Sequence, residues 1–154
     1  MKKLIVLILT ATLLFAGGCA QKNAALKLDP VKIADKLATS VKFTDQMSPV
    51  DEKTALRIYG LEQSSVSNLK AYESTGATAE EIMVFEAKDE AAAAKIKTAA
   101  QKRIDDQRAG FQDYQPKEMA KLKNPVFITT GNYVILCISN DNAKAKQVID
   151  SLIK

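Results

Sequence analysis

Apolar residues along this chain change rhythm three times. Residues 4–15 are a nearly unbroken apolar run, interrupted only by Thr10 and Thr12. From Val31 the spacing becomes helical: Val31, Ile33, Ala34, Leu37, Ala38 and Val41 share one face. Asp29 serves as N-cap and Pro30 takes the first turn. The polar stretch from Asp45 to Pro49 ends that element. Asp51 caps a second, short helix, with Ala55, Leu56 and Tyr59 on its apolar side and Gly60 as its stop.

Beyond Val66 the rhythm shortens to that of strands. Residues 67–75 and 80–87 read as a hairpin about Gly76-Ala77, and Ile82-Met83-Val84-Phe85 is apolar on both faces, which marks a central strand. Asp89 caps the longest helix, about residues 90–108, whose stripe of Ala92, Ile96, Ala99, Ala100 and Ile104 continues to Phe111. Gly110 is its expected C-cap. After a connection through Tyr114, Gln115 and Pro116, residues 117–122 form one more helical turn. A second hairpin joins residues 126–129 to 133–139 through Thr130-Gly131-Asn132. Asn140-Asp141 caps a last helix with Ala145, Val148, Ile149, Leu152 and Ile153 on one face. The expected fold is α+β: an antiparallel sheet of about four strands from two hairpins, covered by amphipathic helices including a long Ala-rich one.

The first apolar run has a different meaning. Lys2 and Lys3 precede it, and Ala16, Gly17, Gly18 and Cys19 follow. That is the layout of a secretory signal, and the run is shorter than the roughly 18–20 apolar residues of a membrane span. Cys19 after two glycines resembles the lipobox of bacterial lipoproteins, with Ala16 where such boxes usually carry a larger aliphatic residue. The expected organisation is a lipoprotein signal peptide at 1–18, a lipidated Cys19 with a tether to residue 28, and one extracytoplasmic domain at 29–154. The acyl-chain anchor would hold that domain at the outer face of the cytoplasmic membrane. Lys22 and Lys27 in the tether could meet anionic headgroups.

Composition narrows the chemistry. The 154 residues include no histidine, no tryptophan and two cysteines. Without histidine there is no Ser-His-Asp or Cys-His machinery and no classical zinc finger. The chain carries 22 basic and 18 acidic residues; removing residues 1–18 leaves 20 against 18, a net charge of +2. That excludes the concentrated basic face of nucleic-acid binding. With Cys19 lipidated, Cys137 is the only thiol left, so no internal disulfide forms.

Several clusters invite a site. Neighbouring acids point about 100° apart on a helix and to opposite faces on a strand. Glu80-Glu81 and Asp105-Asp106 therefore do not face each other as hydrolytic pairs must, and both are read as solvated or edge residues. Asn140-Asp141-Asn142 falls short of a calcium loop and suits a helix cap. Cys137 lies mid-strand and reads as buried packing. The scattered lysines Lys117, Lys121, Lys123, Lys144 and Lys146 read as a soluble surface. Serines lack a GxSxG or SxxK context. No catalytic residue, metal or cofactor is expected. The remaining cluster is aromatic and amide-rich: Gln107, Phe111 and Tyr114, with Gln112 and Gln115, form a candidate ligand surface for a peptide or saccharide.

Gly76-Ala77 before Glu80-Glu81-Ile82, the long Ala-rich helix, then Gln107, Phe111, Tyr114 and Pro116, and finally Gly131-Asn132-Tyr133-Val134 resemble a Gram-positive lipoprotein family known as domain of unknown function 4358. The resemblance runs from Val31 to the C-terminus. It implies a lipid-anchored extracytoplasmic domain with a helix-covered sheet, and it brings no reaction and no functional residues. The expected function is a non-enzymatic binding or accessory module in the cell envelope, whose partner is an envelope protein, peptide or saccharide. The alternative is an envelope hydrolase whose carboxylate or Ser/Lys site is assembled only by the fold.

Overall fold

The computed structural model describes residues 27–153. The signal segment, Cys19 and most of the tether lie outside the described residues. Ten main elements follow one another: α1 (Pro30–Ser40), β1 (Ser48–Val50), α2 (Glu52–Tyr59), β2 (Val66–Glu73), β3 (Glu81–Ala87), α3 (Glu90–Tyr114), α4 (Met119–Lys123), β4 (Val126–Thr130), β5 (Tyr133–Ile138) and α5 (Asn142–Leu152). All strand pairs are antiparallel, and the order across the sheet is β1-β2-β3-β5-β4.

Helices cover both faces of this sheet. On one face, Leu56 and Tyr59 of α2, Ile96, Ala100 and Ile104 of α3, and Leu122 of α4 meet Met83, Phe85, Val134 and Leu136. On the other, Ile33 and Leu37 of α1 and Val148 and Ile149 of α5 meet Ile82, Val84, Ile135 and Cys137. Side chains alternate across a strand, so the two central strands must be apolar at nearly every position. β5 is buried throughout and β3 nearly so.

The caps hold the helix starts as their residue types require. Asp29 accepts from the amides of Val31 and Lys32, Asp51 from Thr54, Asp89 from Ala92 and Asp141 from Lys144. Gly60 closes α2 in the left-handed region at φ 61°, where a side chain would be strained. The α+β class and both hairpins agree with the sequence reading, with one strand more than the four expected. The addition is β1, whose three residues pair with β2 between Ser48↔Glu73 and Val50↔Ala71. Pro49 lacks a ladder donor and is tolerated because β1 is an edge strand.

Gly110 is not a C-cap. α3 runs on to Tyr114, and the Gln115 amide donates to Phe111 O at 2.9 Å. Phe111, half-buried against the core, keeps the helix in register past the glycine. The longer helix carries its last turns beyond the core to the end of the sheet where the β2–β3 turn lies.

Candidate functional site

That end of the sheet holds two buried ionic networks, one on each side of the Glu80–Glu81 peptide. Glu81, the first residue of β3, faces the α2–α3 layer. Its carboxylate accepts from the Tyr59 hydroxyl, from Arg103 Nε at 2.9 Å and from Gln107 Nε2 at 2.5 Å. Arg103 Nη2 also lies 2.9 Å from Glu81 and donates to Glu73 Oε1 at 2.9 Å, bridging the ends of β2 and β3. Burial raises the Glu81 pKa; Arg103 and the Tyr59 hydroxyl oppose it without cancelling it. Burial, reinforced by the Glu81 charge, also pushes the Tyr59 phenol well above its ordinary value.

Glu80, one residue earlier, turns the other way. The amides of Thr44 and Asp45, in the loop after α1, donate to it at 2.9 Å. Lys121 Nζ lies 3.0 Å from it and 2.9 Å from Glu118, and Glu118 in turn accepts from the Ala79 amide at 2.9 Å. Burial is the largest influence on Glu80 and would raise its pKa, but the two amides and the Lys121 ammonium together hold it below the usual value. Glu80 and Glu81 are each 1% exposed and Lys121 is 5% exposed. These three residues correct the sequence reading, which left the acids solvated and the lysine on the surface. Alternation separated the acids as expected; what it missed is that both sides are covered.

Between α3 and the β2–β3 turn lies a cleft of about 280 Å³. Ser74, Gly76 and Thr78 line it from the turn, and Arg103, Gln107 and Phe111 line it from α3. Spacing explains the second set, because positions 103, 107 and 111 recur every four residues on one helix face. Tyr114 continues that face but lies past the sheet end, 72% exposed and outside the cleft. Gln112 is exposed, and Gln115 Nε2 donates to Ala77 O at 3.1 Å, tying the turn to the end of α3. The candidate cluster thus divides: Gln107 and Phe111 form wall, while Tyr114 stands apart.

Gln107 is 7% exposed, and its Oε1 has no hydrogen-bond partner among the described residues. An acceptor left so costs about 1–3 kcal/mol. A wider groove of about 620 Å³ lies where Gly60 and Leu61 meet α3 at Ala94, Thr98 and Ala99, and the buried polar side chain in its lining, Tyr59, already donates to Glu81.

The remaining clusters settle into the fold. Asp105 accepts from Arg108 and Asp106 from Lys102 on the exposed side of α3. Asp141 caps α5, and the neighbouring Asn140 donates to Thr44 Oγ1. Cys137 is fully buried, and burial pushes its thiol up to about 12. Among the described residues no three metal-ligating side chains gather at one point, and no described helix is long and apolar enough to cross a membrane.

A sheet sheathed in helices on both faces, with a small cleft where its buried charges gather, defines an α+β domain. The particular family follows from the sequence match: residues 39–139 fit the model described as Domain of unknown function (DUF4358), and the chain belongs to that family. The match takes in the whole sheet, α2 to α4 and every residue of the cleft. No curated protein and no solved structure matches the chain.

Proposed function

We propose that this chain is an exported lipoprotein, anchored through Cys19, that displays its domain in the cell envelope as a non-enzymatic binding or accessory module with the cleft as its binding site. The observation that carries the reading is the polarity of the domain along its strands. The chain enters at one end, where the Leu28 amide donates to the Tyr133 hydroxyl at 3.1 Å and Tyr133 pairs with Glu86 near the end of β3. The cleft lies at the other end, beside Glu73 and the β2–β3 turn. Eight residues separate Cys19 from Leu28, a reach of at most about 32 Å. A domain held by that tether would sit close to the bilayer with its cleft turned outward.

Support for binding over catalysis comes from the two buried acids. Glu80 and Glu81 each accept from at least three donors. A general acid or base must exchange its proton with substrate, and neither carboxylate can do so without shedding a partner. Replacing Cys19 with serine tests the anchor. The Cys19→Ser chain is expected to leave the membrane fraction and to lose the mobility shift that acylation gives on a gel. A variant that stays membrane-bound with unchanged mobility would remove the anchor from the account.

A further inference from the structure

Gln107 indicates what the cleft takes. Its Nε2 must face Glu81, because that carboxylate already receives Tyr59 and Arg103 and is an acceptor only. The amide cannot turn round without setting oxygen against oxygen. Oε1 is therefore committed to the other side, where no described residue donates to it. Gln107 is a wall of the cleft, so a donor for this buried oxygen would have to come from there.

Charge selects among donors. Glu73, Glu80 and Asp106 line the cleft with Arg103, and together with Glu81 and Glu118 behind them these five carboxylates share three cations, Lys102, Arg103 and Lys121. An anion would meet repulsion there, whereas a cation would meet an excess of carboxylate. The neutral lining supplies further acceptors in the hydroxyl oxygens of Ser74 and Thr78, and an aromatic face in Phe111. Size excludes bulk: about 280 Å³ lies at the lower edge of the roughly 300–1,000 Å³ of small-molecule sites. It suits a ligand no larger than one side chain or one sugar unit.

Resting on the reading of the cleft as a binding site, we propose that it captures a primary ammonium on a short apolar stem, the ammonium supplying the donor that Gln107 Oε1 lacks and the stem lying against Phe111. An ammonium carries three donors and no acceptor, which complements this wall. The same chemistry is offered by a free alkylamine and by an amine at the end of a peptide side chain.

The test is a calorimetric titration of the full chain in mild detergent with n-pentylammonium, with N-acetyl-lysine amide and with 1-pentanol as the neutral isostere. Pentylammonium is expected to bind saturably and at least about tenfold tighter than pentanol, the scale of one hydrogen bond made by a charged group. Gly110→Leu, which fills a cleft-lining position where an added Cβ meets nothing within 4 Å, is expected to abolish binding while the helical circular dichroism is retained. Phe111→Leu, a milder change, should weaken it several-fold. Equal affinity of the lysine amide assigns the amine to a peptide side chain, and markedly weaker binding assigns it to a free amine. Pentanol binding as tightly as pentylammonium, or pentylammonium binding undiminished in Gly110→Leu, overturns the proposal. If N-acetylglucosamine or acetate binds where the amines do not, the ammonium is wrong and the cleft remains a binding site. If amines, sugars, peptides and anions are all silent, the binding reading falls with it.

Discussion

Lys121 holds two carboxylates inside the protein. Replacing it with methionine keeps much of the bulk but strands Glu80 and Glu118 without a counter-charge, and breaking a buried pair in this way costs about 3–5 kcal/mol. The Lys121→Met chain should show that loss in urea unfolding, and the triple change Glu80→Gln, Lys121→Met, Glu118→Gln should regain most of it. Glu80 also sets part of the pH response. Its folded pKa lies below the unfolded 4.5, so its contribution is present above pH 4.5 and fades as acid protonates it. Unfolding free energies measured from pH 7 to pH 3 should fall less steeply for Glu80→Gln than for the native chain. Glu81 works in the opposite sense: its folded pKa is raised, so protonation favours the folded state and partly offsets the acid loss. The sequence showed that these two acids diverge, because strand alternation is local. It did not show that Arg103, Gln107 and Lys121 lie 22 to 41 residues further along and close over them.

The helix α3 shows which element signals are strong. Asp89 and the alanine stripe fixed its start, since a cap and a 3.6-residue period are written in neighbouring residues. Its end was misjudged at Gly110, because glycine is both a common stop and a tolerated interior residue. The tertiary contact of Phe111 decides between them. Gly110 is not among the glycines with positive φ, and a Cβ there meets nothing within 4 Å. Gly110→Ala should therefore stabilise the protein by up to about 1 kcal/mol, read as a higher melting temperature. β1 was missed for a different reason. Three residues centred on a proline carry neither alternation nor propensity, and only the edge of β2 makes them a strand.

Across the whole molecule, the networks bind more than their own residues. The Glu81 cluster ties α2 and α3 to the ends of β2 and β3, while the Glu80 cluster ties the loop after α1 to α4. Together they clamp both helical layers at the end of the sheet that carries the cleft. Fold class and hairpins were legible because short apolar runs bounded by turn glycines repeat along the chain. The cleft was legible only in part: Gln107 and Phe111 were found, and Arg103 and Asp106 share their helix, but Glu73, Glu80 and the turn between them come from a segment far from it in sequence.

Cys137 gives this architecture a chemical durability. Oxidants attack thiolate, and thiolate must be both formed and reached. Here the sulfur is sealed under α1 and α5, and its proton is held until about pH 12. In surroundings that convert exposed thiols to sulfenic acid or mixed disulfides, the folded domain offers nothing to convert. Cys137 is consumed only when the core opens, so the pace of its oxidation is the pace of that opening.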